Sequence, residues 1–466
     1  MRRLPLLLVA LLAAVSAATA KAVVRMPIGF CDDPSFRWSP AASGNLAAAA
    51  GAHASVVRAV VDWATVAPTR PAHLLDGNDP AYHLSDIDAL VTTAQRYDLR
   101  VMLTITGTPP WANGGKSQNY PPTNLNDLTQ FAHMLAARYS GSRPGAGVVT
   151  LFSVWNEPNL AEYLVPQFRG DKIVSPAEYV KLFMAAYTGI KAGDPNAVVA
   201  AGETSNRGRN KPTGHQSFDS VAPATFAQLV AKADPKLPFV AWATHPDPSM
   251  FASGPTQQVA FPNVDFSTMA EFGESLQKWF GRRVPIWVTE YGEETKPQSA
   301  LGVSYAHQAV DAREALKLAE ANPYVQMFVW WIFRDSNAQT WFSGLEQSSG
   351  KKKPAYAAFA STAAGMVGQS QTIAPGHPFN VTLAVPFIAW HDPAGSALGT
   401  TYVMKEGSTS TVVVGQPRVT LARDDMVTFQ VRFKPVKNQS YALTVTIEDK
   451  HGQSESHVIA LIPASS

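Results

Sequence analysis

At 466 residues, with 46% hydrophobic and 16% charged content, the chain can bury one large core and a second, smaller one. A formal charge of +2 at pH 7 excludes the basic surface that nucleic acid needs, and the densest basic run, Lys351 to Lys353, reads as a solvated loop before a helix. A single cysteine, Cys31, excludes an intrachain disulfide and a cysteine-based metal site; no metal and no cofactor is expected.

The first twenty residues, MRRLPLLLVALLAAVSAATA, carry two arginines, an apolar run and a small-x-small end at Ala18, Thr19 and Ala20. This is the pattern of a secretory signal peptide over residues 1–20, its apolar run being short of the roughly twenty residues of a membrane span. The expectation is a secreted, extracellular protein, free of the membrane after cleavage and held together by burial alone.

Beyond this segment, short β-branched runs alternate with longer stretches of helical period. The runs cover residues 23–30, 56–63, 100–107, 149–157, 197–203, 239–245, 286–292 and 325–333. They are continuously apolar, as strands of a parallel sheet covered by helices are. Between them, residues 84–99, 125–140, 175–195, 267–282 and 304–321 are amphipathic, and 353–366 would close the series. Ser175 with Glu178, and Pro176 between them, form a capping-box start signal. Eight such units over residues 21–366 predict an α/β fold, a closed (β/α)8 TIM barrel, and no Gly-rich dinucleotide fingerprint follows the first strand to favour an open doubly wound sheet. Cys31, just past that strand, is expected to be a small buried hydrophobe. From 367 to 466 the helical period disappears, and short alternating runs such as MVTFQVRF and YALTVTIED predict an all-β, immunoglobulin-like sandwich.

The carboxyl ends of barrel strands share one face, and active sites are built there. The run LFSVWNEPNL puts Asn156 and Glu157 at the end of strand four, where Pro158 stops strand pairing. Arg58 and Asp62 lie on strand two, Trp111 follows strand three in TPPWANGG, and Glu203, His245 and Glu290 end strands five, six and seven. Trp330 and Trp331 end strand eight, with Trp341 further on. A carboxylate pair at one mouth is what glycoside hydrolysis requires, one group to protonate the departing oxygen and one to attack the anomeric carbon, while aromatic faces suit sugar rings. Glu203, Glu293 and Glu294 read as loop acids, and Arg58 as a partner of a neighbouring carboxylate.

At WNEP (155–158), VTEYG (288–292), VRAVVDWATVAP and GTPPWA the sequence resembles the retaining glycoside hydrolases of clan A, the superfamily of cellulases and β-xylosidases, with a texture like family 39. The resemblance implies a glycosidase hydrolysing O-glycosyl bonds of a poly- or oligosaccharide by double displacement through a glycosyl-enzyme intermediate. It implies Glu157 as acid/base, Glu290 as nucleophile and Asn156 as the residue holding the sugar 2-hydroxyl; Arg58, Trp111, His245, Tyr291 and Trp331 would complete the substrate site. Clan members commonly place a tyrosine two residues after the strand-six histidine, where this chain has Asp247. An acid there would raise the pKa of Glu290 unless it points elsewhere, and Tyr291 could supply the missing donor. The partner expected is a carbohydrate, and the state a monomer. The competing reading is a carbohydrate-binding or adhesion protein on a barrel scaffold; against it stand both glutamates, and the C-terminal segment has Trp390 as its only tryptophan.

Overall fold

The computed structural model describes residues 26–463 except 144, 249–253, 337–340, 368, 374–377, 390–391, 407–409, 423–425, 433–440 and 453. Residues 1–20, expected to form a signal peptide, and Trp390 lie outside the described residues. The chain divides into two compact units, one of residues 25–368 with 386–393, the other of 369–385 with 394–466.

The first unit is a closed barrel of eight parallel strands: β1 (Ile28–Cys31), β2 (Val56–Asp62), β3 (Arg100–Thr106), β4 (Leu151–Val154), β5 (Val198–Ser205), β6 (Trp242–His245), β7 (Ile286–Val288) and β8 (Val325–Trp331). Each strand pairs in parallel with the next, and β8 returns to β1 through Ile28 opposite Phe328 and Cys31 opposite Trp331. Helices α1 (Ala42–Gly51), α2 (Ser85–Gln95), α3 (Leu125–Arg138), α4 (Ser175–Gly193), α5 (Pro223–Ala233), α6 (Met269–Phe280), α7 (Tyr305–Ala321) and α8 (Pro354–Val367) follow the strands in turn. None of these described helices is long and apolar enough to cross a membrane.

Period-two alternation sorts the strand residues into two cores. One parity, including Val56, Met102, Leu151, Val198, Ala243 and Trp287, fills the barrel interior with Cys31 among them. The other parity, including Val57, Leu103, Phe152 and Val199, packs outward under the helices. Both sets are buried, so the strands read as continuous apolar runs.

Three local expectations are corrected. Strand β4 stops at Val154 and not at 157, because Trp155 takes φ +70° and breaks the pairing direction. Ser175 does not cap α4: its hydroxyl donates to Gln167 Oε1 at 2.7 Å. Lys353 is buried against Asp335 at 2.7 Å and Thr295 at 2.8 Å, while Lys351 and Lys352 stay exposed. Helices α1 and α5 show no recognisable pattern; half of α1 is alanine and its one large apolar residue is Leu46, so its faces differ little.

The second unit is all β. Strands β9 (Gln369–Ile373), β11 (Ala397–Glu406), β12 (Ser410–Gly415), β15 (Tyr441–Glu448) and β16 (Ser454–Pro463) form a sheet in the order β9-β16-β15-β11-β12, with β13 (Val419–Thr420) beside β11. Strands β10 (Phe379–Ala384) and β14 (Met426–Val431) make a separate antiparallel pair. Apart from the parallel β9–β16 pair the strands run antiparallel, and β15 alternates buried and half-buried residues along its length. A barrel followed by antiparallel sheets is the expected fold class.

Helices α3 and α4 pack closely because Gly189 and Gly193 sit one turn apart on α4; a Cβ there would stand 2.1 Å from the Thr129 carbonyl oxygen and 2.4 Å from that of His133. Gly189→Val should therefore destabilise the barrel by about 2 kcal/mol or more, by forcing these backbones apart. Chemical denaturation of variant and wild type measures it; equal midpoints would contradict this view of the contact.

Candidate active site

The inward-facing residues continue upward from the barrel interior to its mouth. Arg58 lies two residues above Val56, Thr104 above Met102, Ser153 above Leu151, His245 above Ala243 and Thr289 above Trp287, so each points inward by strand period alone. Glu203 is the exception: on parity it should face outward. A bulge between Gly202 and Thr204 leaves it unpaired with β6, and its φ of +49° turns the side chain into the barrel.

Glu203 is then wholly buried, and its Oε2 gathers three donors: His245 Nε2 at 2.8 Å, Thr289 Oγ1 at 2.7 Å and Arg58 Nη2 at 3.1 Å. Burial alone would raise its pKa, but the charge of Arg58 and the hydrogen bond and charge of His245 outweigh this and hold it at about 2. The loop-acid reading of Glu203 is therefore wrong. Glu293 is also buried, with burial and the Asp311 carboxyl beside it raising its pKa well above the usual range.

Arg58 extends from Glu203 to the mouth. Its Nη1 donates to Glu290 Oε1, its Nη2 to Asn156 Oδ1 at 2.8 Å, and its Nε to Thr104 Oγ1 at 2.9 Å. Burial disfavours its charge, yet Glu203 and Glu290 raise its pKa above the ordinary arginine value, so it is a fixed cation. His245 reaches upward as well: Nδ1 lies 3.0 Å from Glu157 Oε1 and 3.6 Å from Glu290 Oε2. Burial works against its charge, but Glu290, Glu157 and Glu203 lift its pKa to about 10. A common neighbour at those two distances keeps Glu157 Oε1 and Glu290 Oε2 no more than their sum, about 6.6 Å, apart.

Glu157 is aimed by backbone as well as by His245. Trp155 and Glu157 both have positive φ, +70° and +40°, which costs on the order of 1 to 3 kcal/mol each. They are held there by Trp155 N–H to the Ile105 carbonyl at 2.6 Å, Trp155 Nε1 to the Tyr163 carbonyl at 2.7 Å and Glu157 N–H to the Glu203 carbonyl at 2.8 Å.

Above these groups opens a cavity of about 790 Å³, lined by Glu157 and Glu290, by Asn156, and by Trp331 and Trp341, whose rings stack at 5.3 Å. Asp247 lines it too, its Oδ1 accepting from the Gly292 N–H at 2.9 Å. Burial, and then the charge of Glu290, push the Asp247 carboxyl up to about 7. Asp247 thus holds a proton through the acid range, and the two acids do not stand there as two anions. Among the described residues no group of three or more histidine, cysteine or carboxylate side chains could hold a metal ion.

Of the expected site residues, Glu157, Glu290, Asn156 and Trp331 line the cavity, and Arg58 and His245 brace it from below. Two do not reach it. Tyr291 turns outward among Phe266, Phe328 and Trp330, with no hydrogen-bond partner for its hydroxyl among the described residues, because β7 ends at Val288 and strand parity no longer applies. Trp111 packs edge-on to Trp63 at 5.5 Å, under the guanidinium of Arg70, and donates to the Ala67 carbonyl at 2.8 Å. Sequence reasoning also missed Tyr163, Arg207 and Trp38 on the cavity wall, all from loops without strand periodicity.

The sequence model of the cellulase family, glycosyl hydrolase family 5, matches residues 28–336, the span that holds every site residue named above except Trp341. The chain belongs to that family. It is a clan A glycoside hydrolase, a glycosidase, as the motif resemblance implied. Among solved structures, a family 39 glycoside hydrolase from Bacteroides cellulosilyticus is similar at 15% identity and TM-score 0.51, over 88% of this chain and 81% of that one. A family 5 enzyme from Streptomyces cattleya, in complex with Manβ1-4GlcNAc, is similar at 16% identity and TM-score 0.53, over 76% and 86%. A family 39 β-xylosidase from Caulobacter crescentus gives 15% and 0.50, over 90% and 98%. At these identities the likeness is one of fold. No curated protein sequence matches the chain.

The site's ionisation fixes a stability profile. His245, Asp247 and Asp32 have folded pKa values of about 10, 7 and 6, all above their ordinary values of 6.5, 3.8 and 3.8. A raised folded pKa favours folding below the unfolded value and loses that contribution as pH climbs to the folded one. Glu203, lowered from 4.5 to about 2, acts oppositely, and only as pH falls below 4.5. The melting temperature should fall steadily from about pH 5 to about pH 9. Calorimetry across that range measures it; a rise would contradict the assigned charges.

Proposed function

We propose that the protein is an exported retaining glycosidase that cleaves neutral oligo- or polysaccharides by double displacement. The observation that carries this reading is His245 Nδ1 in reach of both Glu157 and Glu290, which brings the two carboxyls to one side of one cavity. Their oxygens lie no more than about 6.6 Å apart, a limit that admits the retaining spacing of about 5 to 5.5 Å and meets the inverting range of roughly 6.5 to 9.5 Å only at its lower edge.

In this reading Glu290, oriented by Arg58 on Oε1, attacks the anomeric carbon through Oε2. Glu157 accepts from His245 on Oε1, so its transferable proton sits on Oε2, from which it passes to the departing oxygen. Glu157 then takes a proton from the water that releases the sugar from Glu290. Asn156 gives its Oδ1 to Arg58, which leaves its amide hydrogens to bind a sugar hydroxyl beside the reacting carbon. The cavity wall carries further carboxyl groups, Asp33 and Glu162 among them, and among the described residues Arg207 is the one arginine lining it, an environment that disfavours uronates. Export rests on the N-terminal segment and the lone cysteine.

Glu290→Gln should remove turnover by more than about a thousandfold with the circular dichroism spectrum unchanged, since an amide keeps the shape but cannot form the ester. Glu157→Ala should slow glycosides with poor leaving groups far more than activated aryl glycosides, and azide should restore the second step. Near-wild-type rates for the first variant, or equal losses without rescue for the second, would overturn the assignment.

A further inference from the structure

Asp247 stands beside Glu290 in the cavity, and the double displacement leaves it without a task. It lies two residues past His245, in the run THPDP that ends β6, and lines the same cavity as Glu157 and Glu290. It is firmly held. Its Oδ1 accepts from the N–H of Gly292, two residues beyond Glu290, at 2.9 Å, and its carbonyl oxygen accepts from Asn206 Nδ2 at 2.5 Å and Gln257 Nε2 at 3.5 Å. A proline on either side, Pro246 and Pro248, restricts the backbone further. The two cations of the site are taken up by other acids: Arg58 by Glu203 and Glu290, and His245 by Glu157, Glu203 and Glu290.

The charges of this mouth assign Asp247 a protonation state. For the first chemical step Glu290 must be an anion to attack, and Glu157 must hold a proton to give away. Glu203 is ionised. Two carboxylates then balance the two cations, Arg58 and His245, and the balance is kept only if Asp247 is neutral. The titratable groups that face Asp247 are Glu290 and Tyr291 from the end of β7, His245 from β6 and Glu157 from the loop after β4. Burial, then the charge of Glu290, push its carboxyl up to about 7; Glu157 adds to this, while His245 and the Gly292 N–H act against it. Since Oδ1 accepts from Gly292, the proton sits on Oδ2. Without that proton a second anion, one that no cation balances, stands beside the nucleophile.

Resting on the retaining-glycosidase reading, we propose that Asp247 is a positioning residue that acts through Glu290: the sugar binds productively only while Asp247 carries its proton, so this carboxyl, separately from Glu157, ends activity on the alkaline side. The reason lies in desolvation. A neutral sugar seated against Glu290 displaces the water that screens the anions of the mouth, and an uncompensated charge costs far more once that water is gone. With Asp247 protonated the Asp247–Glu290 pair carries one negative charge, which Arg58 holds on Glu290. With Asp247 ionised the pair carries two, and closing a sugar over them is resisted. Below neutral pH the site is therefore ready for substrate, and above it the ready fraction falls tenfold with each pH unit.

The test removes Glu157 from the pH profile. Glu157→Gln cannot titrate, and the 2,4-dinitrophenyl β-glycosides of glucose, xylose and mannose need no proton on their leaving group; azide turns the intermediate over. The readout is kcat/KM, which reports ionisations of the free enzyme, on the best of the three substrates from pH 6 to pH 8.5. In Glu157→Gln it should fall about thirtyfold across that span, the loss that one group titrating at about 7 produces. With Asp247→Asn added, the fall should shrink to less than about threefold, because the amide still accepts from Gly292 but cannot ionise. A flat or rising profile in Glu157→Gln overturns the proposal, as does a fall that Asp247→Asn leaves in place. A merely structural role would lower the rate alike at every pH, and the limb of Asp32, which titrates near 6, would be the same in both variants. Circular dichroism at both pH limits checks the fold, and Asp247→Ser, also neutral, takes the place of an Asn variant that does not fold. Failure of wild type to cleave any dinitrophenyl glycoside would instead count against the retaining-glycosidase reading itself.

Discussion

A carboxylate without solvent contact, Glu203, stays ionised beneath the barrel mouth only because two cations meet it there. Moving such an ion out of water costs several kcal/mol, which Arg58 at 3.1 Å and His245 at 2.8 Å offset through charge and hydrogen bonds together. The dependence is mutual. Arg58 and His245 are fully buried as well, and without Glu203 the two buried cations would have only Glu290 and Glu157, at the cavity, to balance them. The knot has one anion below and two cations above it, so positive charge is left over on the side facing the cavity. That surplus is spent on Glu290, through Arg58, and on Glu157, through His245.

Glu157 and Glu290 are thereby placed by groups that do not themselves line the cavity. His245 positions two acids from two different strands at one nitrogen, and Arg58 ties Glu290 to Asn156 across the barrel. Rigidity of this kind limits the reorganisation that charge movement during a reaction would otherwise require. The positive φ values at Trp155, Glu157 and Glu203 lie where this network passes from strand to strand, and backbone strain of that sort persists only where surrounding contacts over-determine it.

Much of this was legible in the amino-acid sequence, for reasons that can be stated. All eight barrel strands announce themselves as apolar runs because both of their faces are buried, and Arg58, His245 and Glu290 follow from strand ends that share one direction. What escaped notice broke the period. Glu203 lies in a bulge, where counting by twos gives the wrong face, and it passed for a loop acid. Tyr291 was placed at the site by adjacency to Glu290, but the strand had already ended and its ring turned into the outer core. Trp111 and Trp38 show the same limit among aromatics: the motif-borne tryptophan is packing, while the one outside any motif lines the cavity. Loop conformation decides such cases, and no periodic rule reads it.

The central claim, that Glu203 and Glu290 keep His245 as a buried cation, is tested most directly by nitrogen-15 NMR of the His245 ring. A pKa of about 10 requires both ring nitrogens to be protonated at neutral pH and still at about pH 8, with the chemical shifts of an imidazolium. A neutral tautomer at pH 8, with one nitrogen unprotonated, would contradict the account, because a neutral ring could then donate to only one of Glu157 and Glu203.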